Sequence, residues 1–350
     1  MGVSVGEWIF GDLIGKGGFG SVYRGYPLKY DNGSPPIMAV KVAEASDPSK
    51  VDALLDEAKL LSLFDDCPFV INSYGHEWTC KPPHNSISLT LLLEFAAGGT
   101  IRDRIESGRL SDSEIKLFTK SLLSGLHCIH DKGFVHCDIK PDNILLVIDV
   151  TSPVNFVAKI ADFGLTKGAQ YLHSCQGTAR YLPPETLLRN IQGKPSDIWA
   201  VGCVVLEMLT GNLWTCKTSG DLDTWASNPI IPSHLSDDAK DFLAKCLDID
   251  ASKRPTAEEL LTHPFLKTMP SVEQVVSVPT LSQSQHCEHM LPSFIPLGDS
   301  SSQESQKSRE GSGLLGDSIF PLALMLRPAR PVVADTWCRE QTNFAVMGAA

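Results

Sequence analysis

Apolar residues in the first hundred positions come in short runs separated by turn residues. "WIFGDLIG", "SVYRGYPL" and "IMAVKVA" have the length and composition of strands. One segment breaks that rhythm. Asp47 and Pro48 offer an N-cap and a first-turn proline, and "VDALLDEAKLLSLF" then places apolar residues at helical spacing. "FVINSYGHEW" and "ISLTLLLEFA" predict a return to strand.

From about residue 100 the period lengthens. Ser111 and Glu114 form a capping-box pair ahead of a helix over "IKLFTKSLLSGLHCIH". "AKIADFGL" follows as a short apolar segment. "IWAVGCVVLEML" is apolar on all sides except for Glu207, which predicts a buried helix. Thr256 and Glu259 offer a second capping box before "LLTHPFL". The order predicts an α+β chain in two lobes: a small β-rich lobe with one main helix over about 8–95, and a larger α-rich lobe over about 96–266. Residues 1–7 read as an N-terminal extension. After Pro270 the pattern dissolves into segments such as "SSQESQKSREGSG", so residues 267–350 are expected to be mostly disordered, although "IFPLALMLRPARPVV" is apolar again between its prolines.

Charge narrows the function classes. The 350 residues carry a net charge of −11, and no basic patch suggests a nucleic-acid partner. No apolar run reaches the roughly 18 residues that a membrane-spanning helix needs, so membrane insertion is not expected. The first ten residues lack a basic n-region and a cleavage site, and a secretory leader is not expected either. Ten cysteines are scattered without a CxxC pair or zinc spacing. They read as reduced thiols in a cytoplasmic or nuclear protein.

Candidate chemistry begins at "GKGGFGSV" (15–22). Its spacing does not fit a Walker A loop, and the strand-like "SVYRGY" that follows does not fit a dinucleotide fold, which wants a helix there. Two readings stay open on these residues alone: a glycine hairpin closing over nucleotide phosphates, or a plain glycine-rich turn. "MAVK" puts Lys41 on a strand, where a lysine could grip phosphates if an anion held it. Glu57 on the following helix is the expected anion, with Asp56 its rival; Glu57 shares a face with Leu61, four residues on. "FVHCDIKPDNILL" then crowds Asp138, Lys140, Asp142 and Asn143 into six positions. Turn-capping explains one such residue, but not the whole array.

"GKGGFGSV", "MAVK", "HCDIKPDN", "DFG" and "PPE" occur in this order, and with them the chain resembles the eukaryotic protein kinases over residues 8–266. The resemblance implies ATP and Mg2+ as cofactors. The nucleotide would lie under Ile14, Gly15, Lys16, Gly17, Gly18, Phe19, Gly20, Ser21 and Val22. Val22, Ala39 and Leu145 would sandwich the adenine, Leu93 would line the back of its pocket, and Glu94 and Ala96 would offer it backbone groups. Lys41 would hold phosphates with Glu57 behind it. Asp138 would accept the proton of the substrate hydroxyl, Lys140 would neutralise the transferring group, and Asn143 and Asp162 would bind the metal. Thr178 would contact Asp138 and Lys140, Glu185 would pair with Arg254, and Asp197 would hold the catalytic-loop backbone.

"DIKPDN" resembles the serine/threonine branch. "HDKGFVHCDIKPDNILL", "LEFAAGGTIRDRI" and "LSDDAKDFLAKCL" resemble plant MAP kinase kinase kinases of the MEKK-like group, which implies MAP kinase kinases as protein substrates. The chain departs from the family pattern at Pro183, where alanine is usual, and at 211–235, which is short for a docking segment. A pseudokinase scaffold and a serine/threonine kinase of another pathway are the alternatives; retention of Lys41, Asp138 and Asp162 argues for catalysis. Cys137 stands where most of the family has an arginine that pairs with an activation-loop phosphate. Either the enzyme does not use that switch, or Cys137 is a packing residue and other cations receive the phosphate.

Overall fold

Alternation along the third strand organises the smaller lobe. The computed structural model describes residues 8–17, 20–28, 35–81, 86–108, 110–212 and 229–267. The expectations for residues 1–7, Gly18, Phe19 and the tail beyond Lys267 fall outside them, as does most of the segment 211–235. Strands β1 (Trp8–Gly17), β2 (Gly20–Pro27), β3 (Met38–Glu44), β4 (Ser73–Lys81) and β5 (Ser86–Glu94) form one antiparallel sheet in the order β1-β2-β3-β5-β4. β3 is central, and six of its seven residues are buried. Met38, Val40 and Val42 face one way and pack with Leu92, Trp8, Phe10, Tyr23 and Tyr74. Ala39, Lys41 and Ala43 therefore face the other way, as a period of two requires.

Helix α1 (Pro48–Ser62) covers that second face. Asp47 caps it by accepting the Lys50 N–H at 3.3 Å. Its buried stripe is Val51, Leu54, Glu57, Ala58 and Leu61, so Glu57 is carried inward with the leucines. The segment 69–72, expected to open the fourth strand, belongs elsewhere. Phe69 O accepts the Ile160 N–H at 2.9 Å and Ile71 N–H donates back to Ile160 O at 2.9 Å, which ties it to the larger lobe. Its apolar residues are buried in that join rather than in the sheet.

The larger lobe is helical, as the longer period predicts. It contains α2 (Ile101–Ser107), α3 (Asp112–Asp131), α4 (Pro184–Arg189), α5 (Lys194–Thr210), α6 (Asp237–Cys246) and α7 (Ala257–Leu261). The Ser111–Glu114 capping box starts α3 and the Thr256–Glu259 box starts α7, which ends before Pro264 opens a 3-10 turn. α5 is buried from Ser196 to Met208, Glu207 included. Between α3 and α4 run the short strands β6 (Phe134–Val135), β7 (Ile144–Ile148), β8 (Phe156–Ile160) and β9 (Lys167–Gly168); β7 pairs with β8, and β6 with β9. No helix among the described residues is long and apolar enough to cross a membrane.

Candidate active site

β1 and β2 pair up to the glycine-rich turn. Gly15 pairs with Val22, Lys16 with Ser21 and Gly17 with Gly20. Gly20 has φ +137, and a Cβ there would meet Val42 O at 2.4 Å, so only glycine fits the bend. Val22 pairs with Lys41, and Ala39 with Leu93, which sets Ala39, Lys41 and Leu93 on adjoining strands. The chain leaves β5 through Glu94, whose carboxylate takes Lys159 Nζ at 2.8 Å and is thereby fixed away from the linker. The Ala96 N–H donates to no partner among the described residues. Beneath the linker, Leu145 sits on β7, whose neighbour Leu146 exchanges backbone bonds with Gly98 and Gly99.

Lys41 Nζ donates to Glu57 Oε2 at 2.6 Å and to Asp162 Oδ1 at 2.9 Å. Glu57 is 2% exposed. Asp56 points outward, its side chain 70% exposed and paired with Lys59. Burial opposes the charge on Lys41, but the two carboxylates outweigh it and hold the ammonium above its ordinary value. Burial likewise opposes the charge on Asp162; Lys41, helped by His136 and Lys140, overcomes it and holds this carboxyl below the usual carboxylate range.

Asp162 has φ +63, uncommon for a non-glycine residue. Phe163 holds it there. The ring is 1% exposed, packs 5.4 Å from Phe64 and meets His136 edge-on at 5.1 Å, while its N–H donates to Glu57 Oε1 at 3.4 Å.

The loop after β6 carries the second half of the site. Asn143 Nδ2 donates to Asp138 O and to Asp138 Oδ2, both at 2.9 Å. Asn143 O accepts the Ala161 N–H at 2.9 Å, which locks the loop to the residue before Asp162. Lys140 Nζ lies 2.7 Å from Asp138 Oδ2 and donates to Thr178 Oγ1 at 2.9 Å. Thr178 gives both its N–H and its hydroxyl to Asp138 Oδ1 at 2.9 Å. Gly177, with φ +107, makes that approach possible: a Cβ would lie 2.2 Å from Cys137 O. Glu185 meets Arg254 through two bonds, of 2.7 and 2.9 Å.

Asp197 supports the loop from α5. It accepts the N–H groups of His136 and Cys137 and bonds His130 Nε2 at 2.9 Å. His130 and Gln192, whose amide reaches Gln176 O at 2.8 Å, join the site without having been expected from sequence; their partners lie far along the chain, and no local pattern marks them. His136 and Phe163 fall within "HCDIKPDN" and "DFG", but the sequence reading gave them no role of their own.

The donor set suits a hard divalent cation. The Asn143 Oδ1 and Asp162 Oδ2 oxygens take no hydrogen bond among the described residues, and both are hard ligands next to a fixed lysine. The arrangement joins a cation for anionic oxygens, a pair of open oxygen ligands and a carboxylate held by three donors.

Residues 8–266 match the family described as protein kinase domain. The chain is 36% identical over 291 residues to mitogen-activated protein kinase kinase kinase 17 of Arabidopsis thaliana, covering 79% of this chain and 74% of that protein. It is 35% identical over 281 residues to kinase kinase kinase 20 of the same plant, covering 74% of this chain and 78% of the relative. Kinase kinase kinase 1 is 36% identical over 290 residues, but the chain spans only 44% of its length.

Proposed function

Since the chain belongs to the protein kinase family, as a serine/threonine kinase, we propose that it transfers the γ-phosphate of ATP to serine or threonine hydroxyls of MAP kinase kinases. One observation carries the reading. Lys41 bridges Glu57 and Asp162 at 2.6 and 2.9 Å, and Asn143 links Asp162's segment to Asp138, so residues from four distant segments act on one place.

Asn143 and Asp162 would hold Mg2+, which supplies charge neutralisation at the phosphates. Lys41 holds phosphate oxygens, kept in place by Glu57. Ala39, Val22, Leu93 and Leu145 enclose the adenine, and the Ala96 N–H and the Glu94 carbonyl recognise its edge. Asp138 orients the incoming hydroxyl and takes its proton as the oxygen bonds to phosphorus and the bond to the ADP oxygen breaks. Lys140 offsets charge on the phosphoryl group in transit. Thr178 fixes the Asp138 carboxylate, and Glu185 with Arg254 anchors the segment that carries Thr178. Phosphoryl transfer asks for this kind of positioning and charge placement more than for covalent chemistry.

The MAP kinase kinase substrate class rests on the names of the similar proteins and on the matching segments of this chain. We assign the protein to the cytoplasm or nucleus, a reading supported by its thiols, six of which are free among the described residues. Purified protein, ATP and a panel of MAP kinase kinases test the proposal. Phosphate should enter the activation loop of at least one panel member. Labelling of generic protein substrates with none of the panel labelled would remove the pathway assignment and leave the kinase.

A further inference from the structure

Arg102, in the first turn of α2, reaches into the larger lobe beside the catalytic loop. Its Nη2 donates to Tyr181 Oη at 2.7 Å and to Glu207 Oε2 at 3.2 Å. Its Nε lies 3.5 Å from Asp142 Oδ2. The Tyr181 hydroxyl in turn donates a hydrogen bond to the Glu207 carboxylate, whose oxygens lie at 3.1 and 3.2 Å. Glu207 is wholly buried on α5, whereas the Asp142 side chain is 51% exposed at the surface of the loop.

Position gives this cluster its meaning. Tyr181 lines one cavity with Asp138 and Thr178, and Arg102 ties this cluster to Asp142, four residues after Asp138 and 51% exposed. The cluster therefore borders the place where a peptide would present its hydroxyl to Asp138. Asp142 at that border and Glu207 buried behind it, with Arg102 between them, form a receptor for a cationic side chain, because a carboxylate out of water needs a cation or several donors. Here the cation comes from within the chain. One donor of the guanidinium, Nη1, is buried without a hydrogen bond among the described residues. Such a donor is costly, so the guanidinium is held here by the acids and not by a complete set of hydrogen bonds.

We infer that Arg102 determines substrate specificity: it fills an acidic subsite formed by Glu207 and Asp142 and makes the enzyme indifferent to arginine near the phosphoacceptor. Enzymes with these acids and no internal cation would select basic peptides. This one accepts serine and threonine in neutral or acidic surroundings.

The test uses the full chain and one acceptor peptide in which a single arginine is walked through every neighbouring position. In wild type, arginine changes kcat/KM by less than about twofold at any position. In Arg102→Met, which keeps the apolar stem, arginine at one position lowers KM and raises kcat/KM about tenfold, as expected for a charge-assisted pair. Adding Asp142→Asn cancels most of that gain. Arg102→Gln, which keeps donors for Tyr181 and Glu207, is the second variant. The ratio between arginine and alanine peptides is the readout, so a general loss of activity does not distort it. A wild type that already favours arginine, or two variants with the wild-type profile, overturns the inference. Failure of both variants to fold also overturns it, since Arg102 would then be a brace. The inference rests on the kinase reading, and the two fail differently. No transfer to any peptide sinks the reading, whereas transfer with an unchanged arginine profile sinks only the inference.

Discussion

The carboxylate of Asp197 accepts the backbone N–H of Cys137 at 3.0 Å. Cys137 has φ +70, a left-handed conformation that a side chain with Cβ adopts only under constraint. Asp197 supplies the constraint: its other oxygen takes the His136 N–H at 2.9 Å, so two successive buried donors converge on one acid. Asp197→Ala leaves both donors without that acceptor and releases the turn that aims Asp138. The expected result is a stability loss of about 2–4 kcal/mol by urea titration and a larger proportional loss in kcat than in KM. A variant with wild-type kcat would show that the turn holds itself.

Asp162 gives a pH signature. Its carboxyl is held below the ordinary 3.8, with burial opposing the charge and Lys41 overcoming that cost. A carboxyl with a lowered folded-state pKa stabilises fully above its unfolded value, and that contribution is lost as pH falls through the folded one. The stability advantage of wild type over Asp162→Asn is therefore level at neutral pH and shrinks below about pH 4. Urea midpoints of the two proteins across the acid range measure it. An advantage that grows with acid contradicts the pairing with Lys41.

Arg254 and Glu185 form the buried pair behind the segment that carries Thr178. The Arg254 side chain is 0% exposed, donates also to Pro195 O at 3.0 Å and lies over the Trp199 ring at 4.9 Å. Removing one partner strands the other. Glu185→Gln should cost about 3 kcal/mol or more, far beyond an exposed pair such as Lys59–Asp56. Chemical denaturation of Glu185→Gln beside Asp56→Asn makes the comparison directly, and similar losses would contradict it.

Cys137 bears on regulation. Its side chain is buried, and its Sγ donates weakly to Val135 O at 3.5 Å. Burial, then the Asp197 carboxylate, pushes the thiol well above its ordinary value, so it carries no charge for a phosphate to pair with or lose. Of the nearby cations, Lys167 is already engaged by Ser174 Oγ at 2.7 Å. Phosphatase-treated enzyme is expected to keep most of its activity. Loss of most of it would place the activation-loop phosphate on another cation.

Much of this arrangement was legible in the chain. Alternation in "IMAVKVA" separates the faces of β3, and helical spacing around Leu61 distinguishes Glu57 from Asp56. The capping boxes mark two helix starts because their hydrogen bonds are local. The segment 69–72 misled: Val70 and Ile71 are as apolar as strand residues, but their backbone pairs with Ile160, and nothing nearby encodes that choice. The same limit hid the bond between His130 and Asp197 and the Arg102 cluster, whereas the hold of Asp197 on the catalytic-loop backbone was implied by the family resemblance. Each depends on residues brought together by tertiary packing, which a local pattern does not record.

Asp138 is held by Asn143, Lys140 and Thr178, and the account stands on its carboxylate acting on the substrate hydroxyl. Transfer of labelled γ-phosphate from ATP to a protein substrate, by wild type and by Asp138→Asn under identical conditions, tests that most directly. The account predicts robust labelling by wild type and a drop of about 10²-fold or more in the variant, whose fold is retained. Equal labelling by the two proteins would contradict it.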